Sequence, residues 1–567
     1  IIRSTFNPDI TNRKQNQFNS PQRPDYLFVG DFGNAQINNT TSVGWNNENT
    51  VQYTTDIGDD QSLTILGGAS AQRFTSESSL AQAFGITSDA TQFNNLALGS
   101  DPTRNVIGSG FDAFQLVSFF GRINYAFKSK YLLTLVGRSD GSSRFAEGNK
   151  YAFFPSVAAA WKLSEEPFIA NMGIFDDLKL RASYGRAGSQ AIESFRTLAI
   201  IQDASTTYNG TLTSGATLGR PANEALTWET TNQFDLALEA SFLNGRIFTE
   251  INYYKKNTFD LLLNVRLPRQ TGFESQLQNL GEVENQGLEL LVNTVNVSKG
   301  NFRWSSMLTL SGNRNKVLDL GGVEFINVIS PNSQSGPGAR LIVGQPAPVF
   351  VGVGYLGTWK SQEEIDASGQ QNQDIGGARF EDPNGDGIIT EDDFYVLGNP
   401  QPDFIYGLQN TFSFKNWDFS FFIQGTQGNE ISNSRTVTHF FGRPGAPKYA
   451  ETLNRWTPEN PTSDIPRAGA MEALGEIPNN SEFIEDGSHL RLKTVRLGYT
   501  MPLQKWGING VQDLNLYVVG TNLLLFSDFR LIDPEVSQFG MGNITQGFAS
   551  GQFPNPRIVT FGLNATF

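Results

Sequence analysis

Long segments in which apolar and polar residues alternate dominate this sequence. Between residues 233 and 242, Phe234, Leu236 and Leu238 alternate with polar or small residues, and the same period of two recurs at 178–185 and 559–567. Successive side chains of a β-strand point to opposite faces, so each segment predicts a strand with one apolar and one polar face. The sequence therefore predicts an all-β fold.

Three further features favour a transmembrane antiparallel β-barrel over a soluble β-sandwich. The segments are about 10 to 15 residues long, whereas ordinary strands average about five or six. Short connections such as 244–245 and 415–416 alternate with long ones such as 186–227 and 314–403, as in a meander with short periplasmic turns and long outer loops. Aromatic residues cluster at segment ends, as in the girdles at membrane surfaces: Phe119, Phe120, Tyr125, Phe127, Tyr253, Tyr254, Phe302, Trp304, Phe412, Phe414, Trp417 and Phe419.

The segments predict about 15 strands, the first of them near residues 41–57. Residues 1–40 are expected to form an extracellular loop or connecting segment, and residues 41–567 the C-terminal part of a barrel with long extracellular loops. A closed single-chain bacterial barrel has an even number of strands, and an open edge in lipid leaves backbone groups without hydrogen bonds. We therefore expect additional strands to come from a preceding segment or another chain.

Composition excludes several other classes of protein. The 567 residues include no cysteine, which excludes disulfide scaffolds, thiolate metal sites and cysteine nucleophiles. The formal net charge of −14 disfavours a nucleic-acid binder. The two histidines, His439 and His489, are interpreted as a loop residue and a strand-start residue, so no catalytic triad and no enzymatic activity are expected.

Several short motifs occur in order along the chain. They are GRINY at 121–125, RSDGSSRF at 138–145, FPSV at 154–157 followed by Trp161, LRASYG at 180–185, EVENQG at 282–287, DPNGDG at 382–387 and NPR at 555–557. Together they resemble the C-terminal two-thirds of SusC-like TonB-dependent transporters, over most of residues 115–567.

The resemblance implies a barrel of about 22 strands with an N-terminal plug, of which the plug and about the first seven strands lie outside this sequence. It also implies an outer-membrane location in a Gram-negative bacterium, energy from the TonB complex and a SusD-like lipoprotein partner.

The best local motif for metal binding covers residues 382–393 and follows the spacing of an EF-hand loop. Side-chain oxygens of Asp382, Asn384 and Asp386 and the backbone carbonyl of Ile388 match loop positions one, three, five and seven. Asp393 stands at position twelve, where an EF-hand has a bidentate glutamate. We expect Ca²⁺ to order this extracellular loop; the alternative is a solvated turn.

The C-terminal strand carries apolar residues on one face: Phe561, Leu563 and Phe567. They are expected to form the signal that the barrel-assembly machinery recognises, and they also suit a lipid-facing band.

The long connections hold aromatic residues that could contact a substrate, a partner or one another. They are Phe195, Tyr208, Phe440, Phe441, Tyr449, Trp456, Phe539 and Phe548.

The leading functional hypothesis is active import of a large nutrient, either an oligosaccharide or an oligopeptide, with no covalent chemistry. One alternative is a passive outer-membrane channel or a siderophore-type receptor. Another is a soluble calcium-dependent glycan-binding protein, which the lipid-facing pattern disfavours. The sequence does not separate sugar from peptide substrates.

Overall fold

The computed structural model describes residues 1–22, 33–329, 338–436, 448–470, 478–507, 510–531, 533–535, 537–540, 542 and 544–567. Its strands, in chain order, are β1 (Ile2–Asn19), β2 (Gly33–Ile57), β3 (Gln61–Ile86), β4 (Asp101–Phe127), β5 (Tyr131–Ser142), β6 (Tyr151–Lys162), β7 (Phe175–Ser189), β8 (Ile200–Tyr208), β9 (Thr211–Arg220), β10 (Glu229–Phe242), β11 (Ile247–Phe259), β12 (Leu262–Arg266), β13 (Ser275–Asn279), β14 (Glu282–Lys299), β15 (Phe302–Asp319), β16 (Phe325–Ile329), β17 (Gly338–Ile342), β18 (Val349–Gly352), β19 (Tyr355–Thr358), β20 (Ala378–Phe380), β21 (Tyr395–Gly398), β22 (Phe404–Phe414), β23 (Trp417–Gln427), β24 (Glu430–Asn433), β25 (Ile484–Asp486), β26 (His489–Thr500), β27 (Asp513–Ser527), β28 (Phe548–Ala549) and β29 (Ile558–Thr566).

Within the described stretches, the α-helices that can be bounded are α1 (Pro167–Ala170) and α2 (Gln362–Ser368). The 3₁₀ turns there occupy Gln92–Asn94, Leu96–Leu98, Leu163–Glu165, Arg269–Thr271, Glu391–Asp393, Ala450–Asn454, Ser481–Phe483 and Leu503–Trp506. Among the described residues, no helix is long and apolar enough to cross a membrane. The prediction of an all-β fold is confirmed.

Sixteen strands form one large sheet whose order follows the chain: β1-β2-β3-β4-β5-β6-β7-β10-β11-β14-β15-β22-β23-β26-β27-β29. Neighbours in sequence pair antiparallel, as β2 does with β3 and β22 with β23. The other strands form small sheets inside the long connections: β8-β9, β12-β13, β16-β17-β18-β21, β19-β20 and β25-β24-β28.

The predicted alternation of short and long connections is confirmed. The turn between β10 and β11 places Asn244 at φ 59° and Gly245 at φ 73°, and the turn between β4 and β5 places Lys128 and Ser129 at φ 53° and 52°. Paired positive φ values are typical of the tight hairpin turns whose twist matches the flanking strands. Longer connections alternate with these turns, up to residues 320–403 between β15 and β22. The pattern is weakest between β5 and β7, where residues 143–150 are fewer than residues 163–174.

The predicted start of the sheet was wrong. Residues 1–40, expected to be a loop or connecting segment, contain β1 and the beginning of β2, and the large sheet has sixteen strands where about 15 were expected. The register pairs Lys14 with Asn39, within runs that are polar at consecutive positions. Ile2, Phe6 and Ile10 share one face of β1, but residues 11–17 are polar at every position, so the alternation covers only the first half of this strand.

The apolar faces of the strands are exposed rather than packed in a core. Phe234, Leu236 and Leu238 are about two-fifths exposed along β10, and Leu563 and Phe561 are more exposed on β29. Leu178 on β7 is an exception and is buried. Exposed apolar faces of this size need a nonaqueous surrounding or a partner surface.

The chain forms two compact units, and each has buried apolar clusters in its connections. The first unit comprises residues 1–160, 183–232 and 259–280, and its main cluster is Phe145, Phe154, Ile192, Leu226 and Trp228. The second unit comprises residues 161–182, 233–258 and 281–567. Its clusters include Val353 with Phe380 and Phe483, Phe350 with Phe548, and Ile431 with Phe529.

Candidate functional site

The polar face of the large sheet carries an ion-paired ladder. Glu239 of β10 accepts a hydrogen bond from Lys179 at 2.7 Å and forms an ion pair with Arg181 Nε at 2.5 Å. Arg181 also donates to Glu250 of β11 at 2.6 Å. Glu239 and Leu238 are sequence neighbours in one strand and therefore point to opposite faces. The large sheet, here called the wall, thus has one face that is apolar and exposed and another that is charged and hydrogen-bonded.

Two long connections of the second unit, residues 320–403 and 428–488, fold against each other. Val353 bridges to Asn480, and the Tyr355 hydroxyl donates to the backbone carbonyl of Asp464 at 2.5 Å. The Lys360 ammonium donates to the carbonyl of Ser463 at 2.7 Å and to the Asp464 carboxylate at 3.0 Å. Burial, aided by nearby carboxylates, raises the pKa of Tyr355. The two connections therefore form one packed assembly.

A buried charged cluster anchors the last long connection, residues 528–557, to β26. The Asp533 carboxylate accepts from Arg491 at 2.5 Å and from the backbone and side-chain amides of Asn555 at 2.8 and 3.0 Å. Arg491 and Asp533 are 3% and 2% exposed. Asn555 belongs to the NPR motif, so this contact gives the motif a physical role.

The histidine interpretation is confirmed where it can be checked. β26 begins at His489, as expected for a strand-start residue, and His439 lies outside the described residues. The His489 side chain, followed by Arg491 and Lys493, holds the pKa of Glu535 at about 2 despite the opposing effect of burial.

The predicted calcium loop turns back on its own backbone. Asp382 accepts from the amides of Gly385 and Gly387 at 2.9 Å, Asn384 from Asp386 at 2.8 Å, and Asp386 from Ile388 at 2.8 Å. These turns aim backbone amides at the side-chain oxygens.

Asp393 is the last of the proposed ligands. It is buried and caps the turn at Thr390, with its Oδ1 atom lacking a hydrogen-bond partner. Within the described residues, no group of three or more His, Cys, Asp or Glu side chains is placed to hold a metal ion. Calcium binding stays a prediction.

The proposed assembly signal lies at the end of the last strand. Phe561 and Leu563 pair opposite Val518 and Leu516 of β27, and Phe567 follows the strand. All three side chains are well exposed. Their recognition by an assembly machinery stays a prediction.

The loop aromatics divide into packed and exposed residues. Phe548 is buried against Phe350 and Phe539, and the Trp456 ring covers Gly376. Phe195 stacks on Phe111 but remains 40% exposed, and Tyr208 is 72% exposed. Tyr449 is half-buried, Phe539 is exposed, and Phe440 and Phe441 lie outside the described residues.

Sequence reasoning missed one pocket in the first unit, between the β8–β9 and β12–β13 hairpins. Its volume is about 610 Å³, and its lining includes Arg196, Gln202, Arg220, Asn264, Phe273 and Glu274. These residues come from separated stretches with no shared motif, so only the folded chain brings them together.

Comparisons with known proteins identify relatives over the whole chain. Residues 3–424 match the family described as "TonB dependent receptor-like, beta-barrel". The chain is 58% identical over 571 residues to TonB-dependent receptor P26 of Formosa agariphila, covering all of this chain and 58% of that protein. It is 30% identical to TonB-dependent receptor SusC of Bacteroides thetaiotaomicron, covering 80% of this chain and 44% of that protein.

The fold also matches a solved structure. The RagAB peptide transporter superposes with a TM-score of 0.83 at 23% identity, covering all of this chain and 60% of the matched chain. The chain thus spans 44% to 60% of the length of these relatives.

Proposed function

Because the chain belongs to the TonB-dependent receptor β-barrel family, we propose that it forms the barrel wall and outer loops of an active importer of a large nutrient. The nutrient would be an oligosaccharide or an oligopeptide. The predicted family, the transmembrane barrel fold and the outer-membrane location in a Gram-negative bacterium are confirmed.

The two-faced wall is the observation that carries the proposal. Phe234, Leu236 and Leu238 offer acyl chains an apolar surface, while the ladder around Glu239 borders an aqueous passage. A wide polar passage suits a hydrophilic cargo too large for simple diffusion. This chain would contribute binding and passage, not covalent chemistry.

The packed outer connections support capture of the cargo with a SusD-like lipoprotein. The contacts of Val353 with Asn480 and of Lys360 with Asp464 make one firm surface from two loops that would otherwise be mobile. Such a surface suits a lid protein that docks over the mouth. Energy would come from the TonB complex acting on the plug of the full-length receptor.

Uptake in intact cells tests the proposal. Cells that express the full-length receptor should take up fluorescent oligosaccharides or oligopeptides, and deletion of TonB should abolish that uptake. Affinity purification of the receptor from its native membrane should recover a lipoprotein.

Two outcomes would contradict active import. Uptake that persists at the same rate without TonB, together with single-channel conductance in planar bilayers, would favour a passive channel. TonB-dependent uptake of ferric chelates alone would favour a siderophore-type receptor.

A further inference from the structure

The pocket between the β8–β9 and β12–β13 hairpins, here called the arginine pocket, is lined by Arg196, Gln202, Arg220, Asn264, Phe273 and Glu274. Both hairpins lie in long connections, between β7 and β10 and between β11 and β14. Long connections of this barrel class face the outside of the cell. The pocket is therefore reachable by a solute before it enters the barrel.

Hydrogen bonds between the two connections fix the shape of the arginine pocket. The Gln276 side chain donates to the carbonyl of Ala222 at 2.8 Å, and the Asn223 side chain donates to the carbonyl of Leu277 at 2.7 Å. The Leu277 side chain also packs against the buried cluster that contains Trp228. The pocket is thus preformed, which lowers the entropic cost of binding a ligand.

Arg220 is held in place by neutral groups. Its guanidinium donates to the carbonyl of Phe195 at 2.6 Å and to that of Leu198 at 3.3 Å. Within the described chain, no carboxylate lies within ion-pair distance of it. A guanidinium has five N–H donors, so donors remain for a ligand.

Arg196 places a second positive charge beside the first. It pairs with Glu193 at 2.5 Å, but the Glu193 side chain is 73% exposed, so that pair is well solvated. Burial and the neighbouring Arg196 lower the pKa of Arg220, and the Glu193 carboxylate opposes that shift without cancelling it. Two like charges held together in this way would be stabilised by an anion between them.

The positive charge continues into a neighbouring pocket of about 560 Å³. Arg266 and Arg269 line it, and it shares Gly272, Phe273 and Glu274 with the arginine pocket. Together the two linings contain four arginines and one glutamate, in a chain whose formal net charge is −14. The local charge opposes that of the chain and favours a ligand with more than one anionic group.

Neutral side chains in the arginine pocket suit a hydroxyl-rich ligand. The Gln202 and Asn264 amides make no side-chain hydrogen bond to another described residue. The bulge at Gly219 leaves room for the Gln202 side chain, because a Cβ at that position would lie 2.7 Å from its amide oxygen. An amide both donates and accepts, as a sugar hydroxyl does, so these groups match a polyhydroxylated chain.

We propose that the arginine pocket binds the carboxylate or sulfate groups of an acidic oligosaccharide, as the first outer site of the imported nutrient. The inference rests on the proposed import function and narrows its substrate class. Arginine forks bind both planar carboxylates and sulfate oxygens through paired hydrogen bonds. Neighbouring charged sugar units would reach Arg266 and Arg269.

Calorimetry on the purified full-length receptor tests the site. The probes are oligogalacturonate for carboxylate, sulfated galactan oligosaccharides for sulfate, neutral galactan oligosaccharides of equal length, and oligoglutamate. At least one acidic sugar should bind about tenfold or more tightly than the neutral one, and rising salt should weaken that binding.

Variants distinguish binding in the arginine pocket from a general effect of the receptor's charge on ligand affinity. The double change Arg196→Gln with Arg269→Gln should weaken acidic-sugar binding by about tenfold or more, and Arg220→Lys should weaken it while keeping the charge. Arg455→Gln, on an exposed arginine of a different connection, is the matched control and should change binding by less than about twofold. Heat-dependent electrophoretic mobility verifies that each barrel is folded.

Equal binding of neutral and acidic sugars, or variants that bind like the control, would overturn the proposal. Tighter binding of oligoglutamate would assign the pocket to acidic peptides instead. Uptake assays distinguish the arginine-pocket proposal from the import proposal. If only a neutral substrate is taken up and the uptake depends on TonB, active import stands and the arginine-pocket proposal fails. If acidic sugars bind but uptake does not depend on TonB, the arginine-pocket proposal stands and active import fails.

Discussion

At the residue scale, buried charged groups hold the outer connections in place. Asp533 joins Arg491 of β26 to Asn555, which stands just before β29. Arg340 is similarly buried, and it pairs with Glu391 at 2.6 Å while lying over the Phe325 ring. The Arg491–Asp533 pair is buried on both sides, so losing one partner would leave a charge without compensation, whereas the Glu391 side chain is 40% exposed.

Glu535 gives the last connection a predictable response to acid. In an unfolded chain a glutamate ionises near pH 4.3, whereas the pKa of Glu535 is held at about 2. Its stabilising contribution is therefore complete above about pH 4.3 and is lost as the pH falls towards 2. Hydrogen exchange of residues 528–557 should accelerate across that range, beyond the intrinsic change of exchange rate with pH.

The Glu535→Gln variant is the control for this pH dependence, because it removes the titrating carboxyl group but keeps the size and shape of the side chain. The variant should exchange faster than the wild type at pH 6 and differ less from it at pH 2.5. An identical pH dependence in both proteins would show that Glu535 does not hold this connection.

At the scale of elements, the sequence predicted those strands that have lipid on one face and water on the other. β10 and β29 could be read from their alternation, and the turn at Asn244 and Gly245 from its residue types. β1 was missed because its alternation ends at residue 10 and residues 11–17 are polar at every position. The arginine pocket was equally hidden, since its residues converge from two separate connections.

The loop at residues 382–393 carries the calcium prediction. Equilibrium dialysis with radioactive Ca²⁺ should detect uptake by the receptor, and Asp386→Ala should reduce it and increase protease cleavage in the loop. Asp392→Ala is the matched control, because this exposed carboxylate lies in the same segment but is not a proposed ligand. If the receptor takes up no Ca²⁺ and protease cleavage of the loop is unchanged in Asp386→Ala, the loop is a solvated turn and the calcium prediction is wrong.

The terminal strand carries the assembly prediction. Removing Phe567 should reduce the amount of folded receptor in the outer membrane, because the signal would lose its last apolar side chain. Thr566→Ala keeps the strand length and that side chain, so it should assemble normally. Heat-dependent mobility of membrane fractions measures both, and normal assembly without Phe567 would refute the signal.

At the scale of the whole molecule, the decisive property is which solvent each face of the wall meets. Leu236 lies near the middle of β10 on the exposed apolar face, whereas Asp235 is on the other face and accepts from Gln233 at 2.7 Å. A soluble protein would bury the first of these and solvate the second. Leu236 is instead 40% exposed and Asp235 is half-buried, which assigns the apolar face to lipid.

A pair of arginine substitutions tests that assignment. Leu236→Arg should destabilise the folded barrel by about 2–4 kcal/mol, because it places a charge at the depth of the hydrocarbon core. Asp235→Arg places the same side chain in the aqueous interior and should cost much less. Urea unfolding in lipid vesicles measures both, and equal costs would contradict a lipid-facing Leu236.

Strands β2, β3 and β4 contain 25, 26 and 27 residues, whereas crossing a bilayer takes about 9–11. Their far halves, where Asn39 pairs with Ser79, therefore stand in water on both sides, above the lipid. Because the sequence has no cysteine, one introduced at the exposed Glu77 would be the single thiol of this chain. A membrane-impermeant dye on that thiol would let the receptor be counted and followed on living cells, with its lipid band and its loops left untouched.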